Sequence, residues 1–304
     1  YEDYVVQDID IRLNNTLYRR GRYRTQEGRT VIGQLPKEVV GTHFGATLRT
    51  FILSQYYGQH VTQRLILNQL RAFGVDISSG QLNALITEKH EQFHREKDDI
   101  LQAGLKASPY VNVDDTGARH KGKNGYCTHI GNEVFAWFAS TESKSRINFL
   151  ELLRMGYNDY VINELARQYM REQKLPLAQL QMLSKNITFE DKNSFNSYIA
   201  TLGLGSERHI RIVTEAALFA SAVTHGLPRE IVIVSDDAGQ FNIDGLLHAL
   251  CWVHAERTIK ILIPCSDNNR NAQDAILSQI WEFYQELKKY KLASTQQDKI
   301  RLEA

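Results

Sequence analysis

Cysteine is scarce in this chain, and the few cysteines show no pairing pattern. The 304 residues include only Cys127, Cys251 and Cys265. An odd count without a recurring spacing is typical of a reducing compartment and not of secreted, disulfide-rich proteins. Because no Cys-x-x-Cys pair occurs, a zinc ribbon is excluded within this sequence.

Long apolar runs and an excess of charge are also missing. No stretch approaches the roughly 20 apolar residues of a membrane-spanning helix, and no signal peptide is visible. The net charge is +1, so the total charge does not by itself call for nucleic acid. With 42% hydrophobic and 23% charged residues, the composition predicts a globular cytoplasmic protein without a membrane partner.

Neither end of the sequence resembles a chain terminus. The first residue is Tyr1 and not Met, and residues 297–304 have the composition of a helix interior. We therefore expect this sequence to be part of a longer protein.

Positive charge is concentrated near the N-terminus although the total is almost neutral. Between residues 12 and 29 the sequence is rich in arginine, carries one acid and has two interleaved tyrosines. Its central arginines are Arg19, Arg20, Arg22 and Arg24. Such a patch fits a phosphate backbone, although a solvated strand edge would have the same composition. We interpret residues 1–40 as a basic extended arm and predict that these arginines bind DNA.

Residues 41–106 have the pattern of a small helical, DNA-binding-like module. Apolar residues at helical spacing predict short helices after Thr62 and Ser78, and Gly74 ends the first of them. Ser78 and Gln81 have the spacing of a capping box. Two short helices joined at a glycine fit a helix-turn-helix, but any small helical bundle gives the same pattern.

Two β-branched runs, far apart in the chain, each lead into a pair of aspartates. The first run ends in Asp114-Asp115 and the second in Asp236-Asp237. Four consecutive apolar residues at 231–234 predict a buried strand that ends at the second pair, and the similar pattern of residues 110–113 predicts another that ends at the first. Strand alternation would place the two members of each pair on opposite faces.

Paired aspartates at strand ends suit a divalent metal. Carboxylate oxygens are hard ligands for Mg²⁺ or Mn²⁺ and leave positions for phosphate oxygens and water. Two such ions about 4 Å apart serve phosphodiester displacement. We choose Asp114 and Asp236 as catalytic residues and metal ligands, because each is the first carboxylate after its apolar strand. Asp115 and Asp237 are then interpreted as turn residues.

The residues after Asp115 predict the rest of an α/β core at residues 107–265. A basic turn carries Lys121 and Lys123, which we predict to contact DNA phosphate, although a flexible basic hairpin fits as well. Two short strands follow this turn. Helical spacing then predicts a helical insertion at about residues 146–205.

The C-terminal part of the sequence is expected to be mainly helical. Apolar spacing predicts helices over residues 206–224, from about Gly245 to Ile261, and over residues 272–290. We interpret residues 266–304 as the start of a C-terminal helical insertion that the sequence truncates.

The order and spacing of these motifs resemble the DDE-class bacterial transposases of the insertion sequence 66 family. In that family an Asp-Glu-Thr run ends the first core strand, and Asp114-Asp115-Thr116 stands there with Asp115 as a departure. A second Asp before a small turn and an aromatic residue matches Asp236 to Phe241. A Cys-Trp-Ala-His-Ala-Arg-Arg run matches residues 251–257, with Val253 and Glu256 as departures. The resemblance covers about residues 36–265.

This resemblance implies a fold, an activity and partners. The fold would be a ribonuclease-H-like mixed sheet flanked by helices, with a helical insertion and an N-terminal helical module. The activity would be metal-dependent phosphodiester hydrolysis and strand transfer with two Mg²⁺ or Mn²⁺ ions. The partners would be double-stranded DNA and further copies of the chain, in the bacterial nucleoid. An inactive relative that only binds DNA fits the same motifs, whereas a phospho-signalling receiver is disfavoured by the aspartate spacing.

The third acid of that family lies in an Asn-Asn-x-x-Glu-Arg run. Here Asn268-Asn269 is followed by Arg270 and lies too close to Cys251. We therefore expect the third carboxylate beyond Ala304, and Glu256 is the local substitute candidate.

Cys251 and His254 are three residues apart and can share one side of a helix. Two ligands are too few for a zinc site. We expect Cys251 to pack in the core and His254 to line the active site or to contact DNA.

Overall fold

The structure is a computed structural model that describes residues 1–303. It divides into two compact units, residues 1–94 and the residues from Arg95 onward, and each has its own hydrophobic core. None of the helices in this described part of the chain is long and apolar enough to cross a membrane.

The N-terminal arm belongs to the first unit and has little regular structure. Residues 1–21 form neither helix nor strand, and a short antiparallel hairpin follows them. Its strands are β1 (Arg22–Arg24) and β2 (Thr30–Ile32). Gly28, with φ +80°, lies in the turn between them and adopts a conformation that suits glycine. Every residue from 1 to 32 is exposed, so the arginines of the arm are open to solvent.

A small helical cluster forms the rest of the first unit. Its helices are α1 (Ala46–Leu53), α2 (Gln63–Ala72) and α3 (Ser79–Thr87). One apolar side of each helix supplies the core, in which Ile52, Ile66, Leu70 and Leu82 are fully buried. Burial of this apolar surface holds the three helices together.

The start of α3 has the predicted capping box. The Ser78 hydroxyl accepts a hydrogen bond from the amide of Gln81 at 3.1 Å, and the Gln81 side chain accepts one from the amide of Ser78 at 2.9 Å. Residues 73–78 separate α2 from α3, a longer connection than the turn of about three to four residues in a typical helix-turn-helix. The helix-turn-helix interpretation stays a prediction.

A five-stranded mixed sheet forms the centre of the second unit. Helix α4 (Glu91–Ala107) begins in the first unit, and most of its residues belong to the second. The strands of this unit are β3 (Tyr110–His120), β4 (Lys123–Gly131), β5 (Ala136–Thr141), β6 (Tyr160–Ile162), β7 (Ile187–Phe189), β8 (Val232–Ser235) and β9 (Leu247–Leu250). The central sheet has the order β5-β4-β3-β8-β9, and β6 and β7 form a separate antiparallel pair. Neighbours among β5, β4 and β3 are antiparallel, whereas β8 is parallel to both β3 and β9.

Helices complete the second unit. They are α5 (Arg146–Leu153), α6 (Glu164–Glu172), α7 (Leu177–Met182), α8 (Lys192–Thr201), α9 (Glu207–Thr224), α10 (Trp252–Lys260), α11 (Asp267–Leu292) and α12 (Gln296–Glu303). The long helix α9 contacts α5, α6 and β6, and most of its second half is buried. The predicted α/β class, a mixed sheet flanked by helices, is confirmed.

Strand β3 continues past the point at which the sequence pattern predicted its end. It runs to His120, so Asp114 and Asp115 lie inside the strand and do not follow it. The reason is β4, which pairs with β3 from Asn112 to His120. The pairing of β3 with β8 ends at Asn112, so only β4 supports the rest of the strand. A two-residue turn closes the hairpin, with positive φ at both Lys121 and Gly122, as in a type I′ turn.

The predicted helix from Gly245 to Ile261 is wrong in its first part. Residues 247–250 form β9 beside β8, and α10 begins only at Trp252. A short apolar run is compatible with either a helix or a strand. The free edge of β8 decides the outcome, because its backbone groups need hydrogen-bond partners.

Candidate active site

The two strands that carry the aspartate pairs are parallel neighbours. Tyr110 lies opposite Val232 and Asn112 lies opposite Val234. Beyond this pairing β3 continues through Asp114, and β8 ends one residue before Asp236, so both aspartates follow the paired segment at the same end of the two strands. The fold thus brings two aspartate-bearing segments, far apart in the sequence, to the same end of neighbouring strands.

Both of these aspartates have an oxygen available to a ligand. Asp114 is exposed and its Oδ1 accepts a hydrogen bond from the amide of Asp115 at 2.8 Å. Asp236 is half-buried and its Oδ1 accepts one from the amide of Ala238 at 3.1 Å. Neither Oδ2 receives a hydrogen bond from any residue between 1 and 303. Carboxylates of this kind fit part of the oxygen-ligand set that Mg²⁺ or Mn²⁺ prefers.

Asp115 joins the two carboxylate-bearing segments, and its predicted role as a turn residue is wrong. It is half-buried within β3, where its carboxylate accepts hydrogen bonds from the Thr128 hydroxyl and from the Gln240 amide, the latter at 3.2 Å. Thr128 belongs to β4, and Gln240 belongs to the segment that follows Asp236. No sequence pattern pointed to Gln240, because its partner lies 125 residues away.

We call residues 236–241 the Asp236 loop. Asp237 is exposed in this loop, whereas Phe241 at its end is 1% exposed. The Phe241 ring contacts Phe149 of α5 edge to face, with ring centroids 5.0 Å apart. The aromatic residue that closes the motif therefore anchors the loop in the core.

The start of α10 lies at the end of β8. The amide of Cys251 donates a hydrogen bond to the carbonyl of Ser235 at 2.8 Å, one residue before Asp236. Cys251 is half-buried at the N-terminal cap position and not in the core, which corrects the sequence-based expectation. His254 is half-buried in the first turn of this helix, and its buried Nδ1 has no hydrogen-bond partner within residues 1–303.

The Glu256 side chain already has two hydrogen-bond partners. Its carboxylate accepts hydrogen bonds from Lys260 at 2.8 Å and from the Trp281 indole at 2.9 Å. The Lys260 ammonium and the indole N–H hold the pKa of Glu256 below its ordinary value. These contacts join α10 to α11. Within the described residues, no group of three or more His, Cys, Asp or Glu side chains is arranged to hold a metal ion.

The predicted DNA-binding residues are solvent-exposed. Lys121 and Lys123 lie at the tip of the β3–β4 hairpin. Within the first unit, all four arginines of the set lie in the extended arm or its hairpin, namely Arg19, Arg20, Arg22 and Arg24. Arg20 also donates a hydrogen bond to the carbonyl of Gly33 at 2.7 Å, which ties the arm to its own hairpin.

Comparisons with known proteins give one family and one curated relative. Residues 41–158 match the family described as Transposase IS66 family, a range that includes Asp114 and ends before Asp236. The uncharacterized protein y4jO of Sinorhizobium fredii (strain NBRC 101917 / NGR234) is 41% identical over 196 residues, which is 63% of this chain. The same alignment covers 60% of the relative, so the chain spans less than two thirds of its length. No solved structure matches this chain.

The family match and the motifs agree. The sequence resemblance was based on the aspartate motif that contains Asp114, on the motif that begins at Asp236 and on residues 251–257. The family match covers the first of these and the helical module before it. The predicted resemblance is therefore confirmed, and over residues 41–158 this chain is similar to the IS66 family of transposases.

Proposed function

We propose that this chain carries the catalytic core of a DDE-class transposase, which cuts phosphodiester bonds of DNA and transfers the cut strand. The observation that supports this proposal is the parallel pairing of β3 with β8, because Asp114 and Asp236 both follow the paired residues at the same end of these strands. In this proposal the two carboxylates act together at this edge of the sheet and bind a phosphate of DNA through metal ions.

The strand order supports a ribonuclease-H-like fold for this core. An antiparallel run of β5, β4 and β3 continues into the parallel strands β8 and β9. Ligand sites of sheets with parallel strands lie at the carboxyl ends of those strands. Asp236 follows β8 directly, and Asp114 lies on β3 two residues after its last pairing with β8.

Asp114 and Asp236 would hold divalent ions, Mg²⁺ or Mn²⁺. When bound, such ions stabilise charge on phosphate oxygens and help to activate a nucleophile. The other residues of the site hold these two carboxylates in place, with Asp115 and Gln240 linking one segment to the other. Cys251 joins the start of α10 to the same edge through its backbone amide.

The second candidate is a relative that binds DNA without cutting it. Two observations favour it: among residues 1–303 there is no three-ligand group for a metal, and Glu256 is held by Lys260 and Trp281. In this candidate the exposed basic residues of the arm and of the β3–β4 hairpin bind phosphate, and affinity falls steeply with salt.

One experiment separates the two candidates. Purified protein is incubated with supercoiled plasmid and Mn²⁺, and nicking is compared among the unaltered chain, Asp114→Asn, Asp236→Asn and the control Asp237→Asn. We expect the first two changes to lower the nicking rate on the order of a hundredfold or more, because they remove metal ligands. Asp237→Asn should retain activity, since Asp237 is exposed in the loop.

DNA binding is measured in parallel over a series of salt concentrations. Salt-dependent binding without nicking by the unaltered protein would favour the binding candidate. Equal nicking by the unaltered chain, Asp114→Asn and Asp236→Asn would refute the shared site.

A further inference from the structure

The Asp236 loop is held by a side chain from outside the two aspartate-bearing strands. Arg146, the first residue of α5, donates a hydrogen bond from Nη2 to the carbonyl of Gly239 at 2.7 Å. Gly239 lies three positions after Asp236. The guanidinium therefore reaches the loop at its centre, between the aspartate and the buried anchor Phe241.

The other end of the same guanidinium is fixed in the core. Nη1 of Arg146 lies 3.4 Å from Oε2 of Glu215, a residue of α9 that is 2% exposed. Glu215 also accepts a hydrogen bond from the Tyr169 hydroxyl at 2.9 Å, and Arg211 lies 3.8 Å from its Oε1. Burial and the Glu215 carboxylate raise the pKa of Tyr169, so its hydroxyl remains a donor across the neutral pH range.

A planar guanidinium can hold two acceptors in a fixed geometry, whereas an ammonium acts as a point charge. Arg146 uses this property to connect a buried carboxylate with a loop carbonyl. Because a buried carboxylate that loses a partner is costly, Glu215 keeps Arg146 in this orientation. Arg146 thus connects Gly239 of the Asp236 loop to Glu215 of helix α9.

The same connection between β5 and α5 also contacts the first aspartate segment. Lys144, two residues before Arg146, donates a hydrogen bond to the carbonyl of Asp115 at 3.1 Å. Lys144 and Arg146 therefore hold backbone carbonyls in the two segments that carry the candidate carboxylates. Lys144 is exposed and has no buried partner, so Arg146 is the firmer of the two contacts.

We propose that Arg146 is a positioning residue, which holds the Asp236 loop through Gly239 and is itself oriented by Glu215 and Tyr169. Its hydrogen bonds among residues 1–303 are to protein groups, the Glu215 carboxylate and the Gly239 carbonyl. The relevance of this contact to catalysis rests on the proposed function, whereas its effect on the loop can be measured without any activity. A purely structural Arg146 would only balance the charge of Glu215 in the core.

The test is amide hydrogen exchange of the whole chain, read at residues 236–241. Arg146→Lys retains the positive charge but removes the guanidinium that binds Glu215 and Gly239 together. We expect amide exchange in the loop to rise about tenfold or more. The matched control is Arg211→Ala, which removes the other arginine near Glu215, one whose ion pair is with Glu215 and not with the loop. Its loop exchange should remain unchanged.

A second variant tests whether faster exchange in the loop is caused only by misfolding. Arg146→Met/Glu215→Met removes both charges together, a replacement that buried ion pairs often tolerate. We expect it to fold with normal exchange in α9 and fast exchange in the loop. Loop exchange within twofold of the unaltered chain in both Arg146→Lys and this double variant would overturn the proposal.

A Mn²⁺ titration separates this inference from the proposed function. If the unaltered chain binds Mn²⁺ and Asp236→Asn does not, Arg146→Lys should bind it about tenfold more weakly, as expected when a residue supporting a metal ligand is changed. If the unaltered chain binds no Mn²⁺ but loop exchange still rises in Arg146→Lys, the metal centre fails and the positioning role stands.

Discussion

The two candidate carboxylates are held in different ways. Asp114 lies inside a long strand, where hydrogen bonds between backbones set its position. Asp236 follows a strand of four residues, and side chains hold its loop: Arg146, Gln240 and the buried ring of Phe241. Backbone pairing depends little on which side chains are present, so the Asp236 loop should be the more sensitive of the two to substitution.

The largest expected difference comes from Phe241→Ala. This change removes a fully buried ring from contact with Phe149 and should lower the free energy of unfolding by about 3–5 kcal/mol. The matched control is Phe138→Ala on β5, an aromatic residue that is 53% exposed and should cost about 1 kcal/mol or less. Urea unfolding measures both. Equal costs would show that Phe241 does not anchor the loop.

A smaller effect is expected for the link between the two segments. In a double-mutant cycle, Asp115→Ala and Gln240→Ala should be coupled by about 1 kcal/mol, because either change removes the hydrogen bond between the two side chains. Asp115→Ala alone should cost more than Gln240→Ala, since it also leaves the buried Thr128 hydroxyl without its acceptor. Additive effects in urea unfolding would mean that the link contributes nothing and that the two segments are independent.

The smallest effect is expected at Glu256, on the helix that begins beside the Asp236 loop. Its pKa is lowered in the folded state, so its stabilising contribution is present above the ordinary pKa of a glutamate and is lost as pH falls. Glu256→Gln should therefore make stability less dependent on pH in the acid range and leave nicking unchanged.

The control for this change is Glu282→Gln, at an exposed position of α11. Thermal unfolding between about pH 3 and pH 7 measures both variants. A loss of nicking in Glu256→Gln would contradict the structural role and restore Glu256 as the substitute for the third carboxylate.

Much of the fold could be predicted from local patterns. The β-branched runs before Asp114 and Asp236 indicated the two central strands, and Ser78 with Gln81 indicated the start of α3. These patterns act over a few residues, through side-chain alternation and capping, and they are therefore visible in the sequence. The role of Asp115 could not be predicted in this way, because its acceptor function depends on Gln240 from a distant loop.

The sequence by itself determined that two apolar strands would each carry a carboxylate, since residue type and alternation decide which backbone segments are extended and buried. Only the tertiary structure decided that the strands are parallel neighbours in register. It also decided that residues 247–250 form a strand, and that Arg146 connects Glu215 with the Asp236 loop. The physical reason is that strand partners, sheet edges and buried charge pairs join segments far apart in the chain, whereas local patterns report only on neighbours along it.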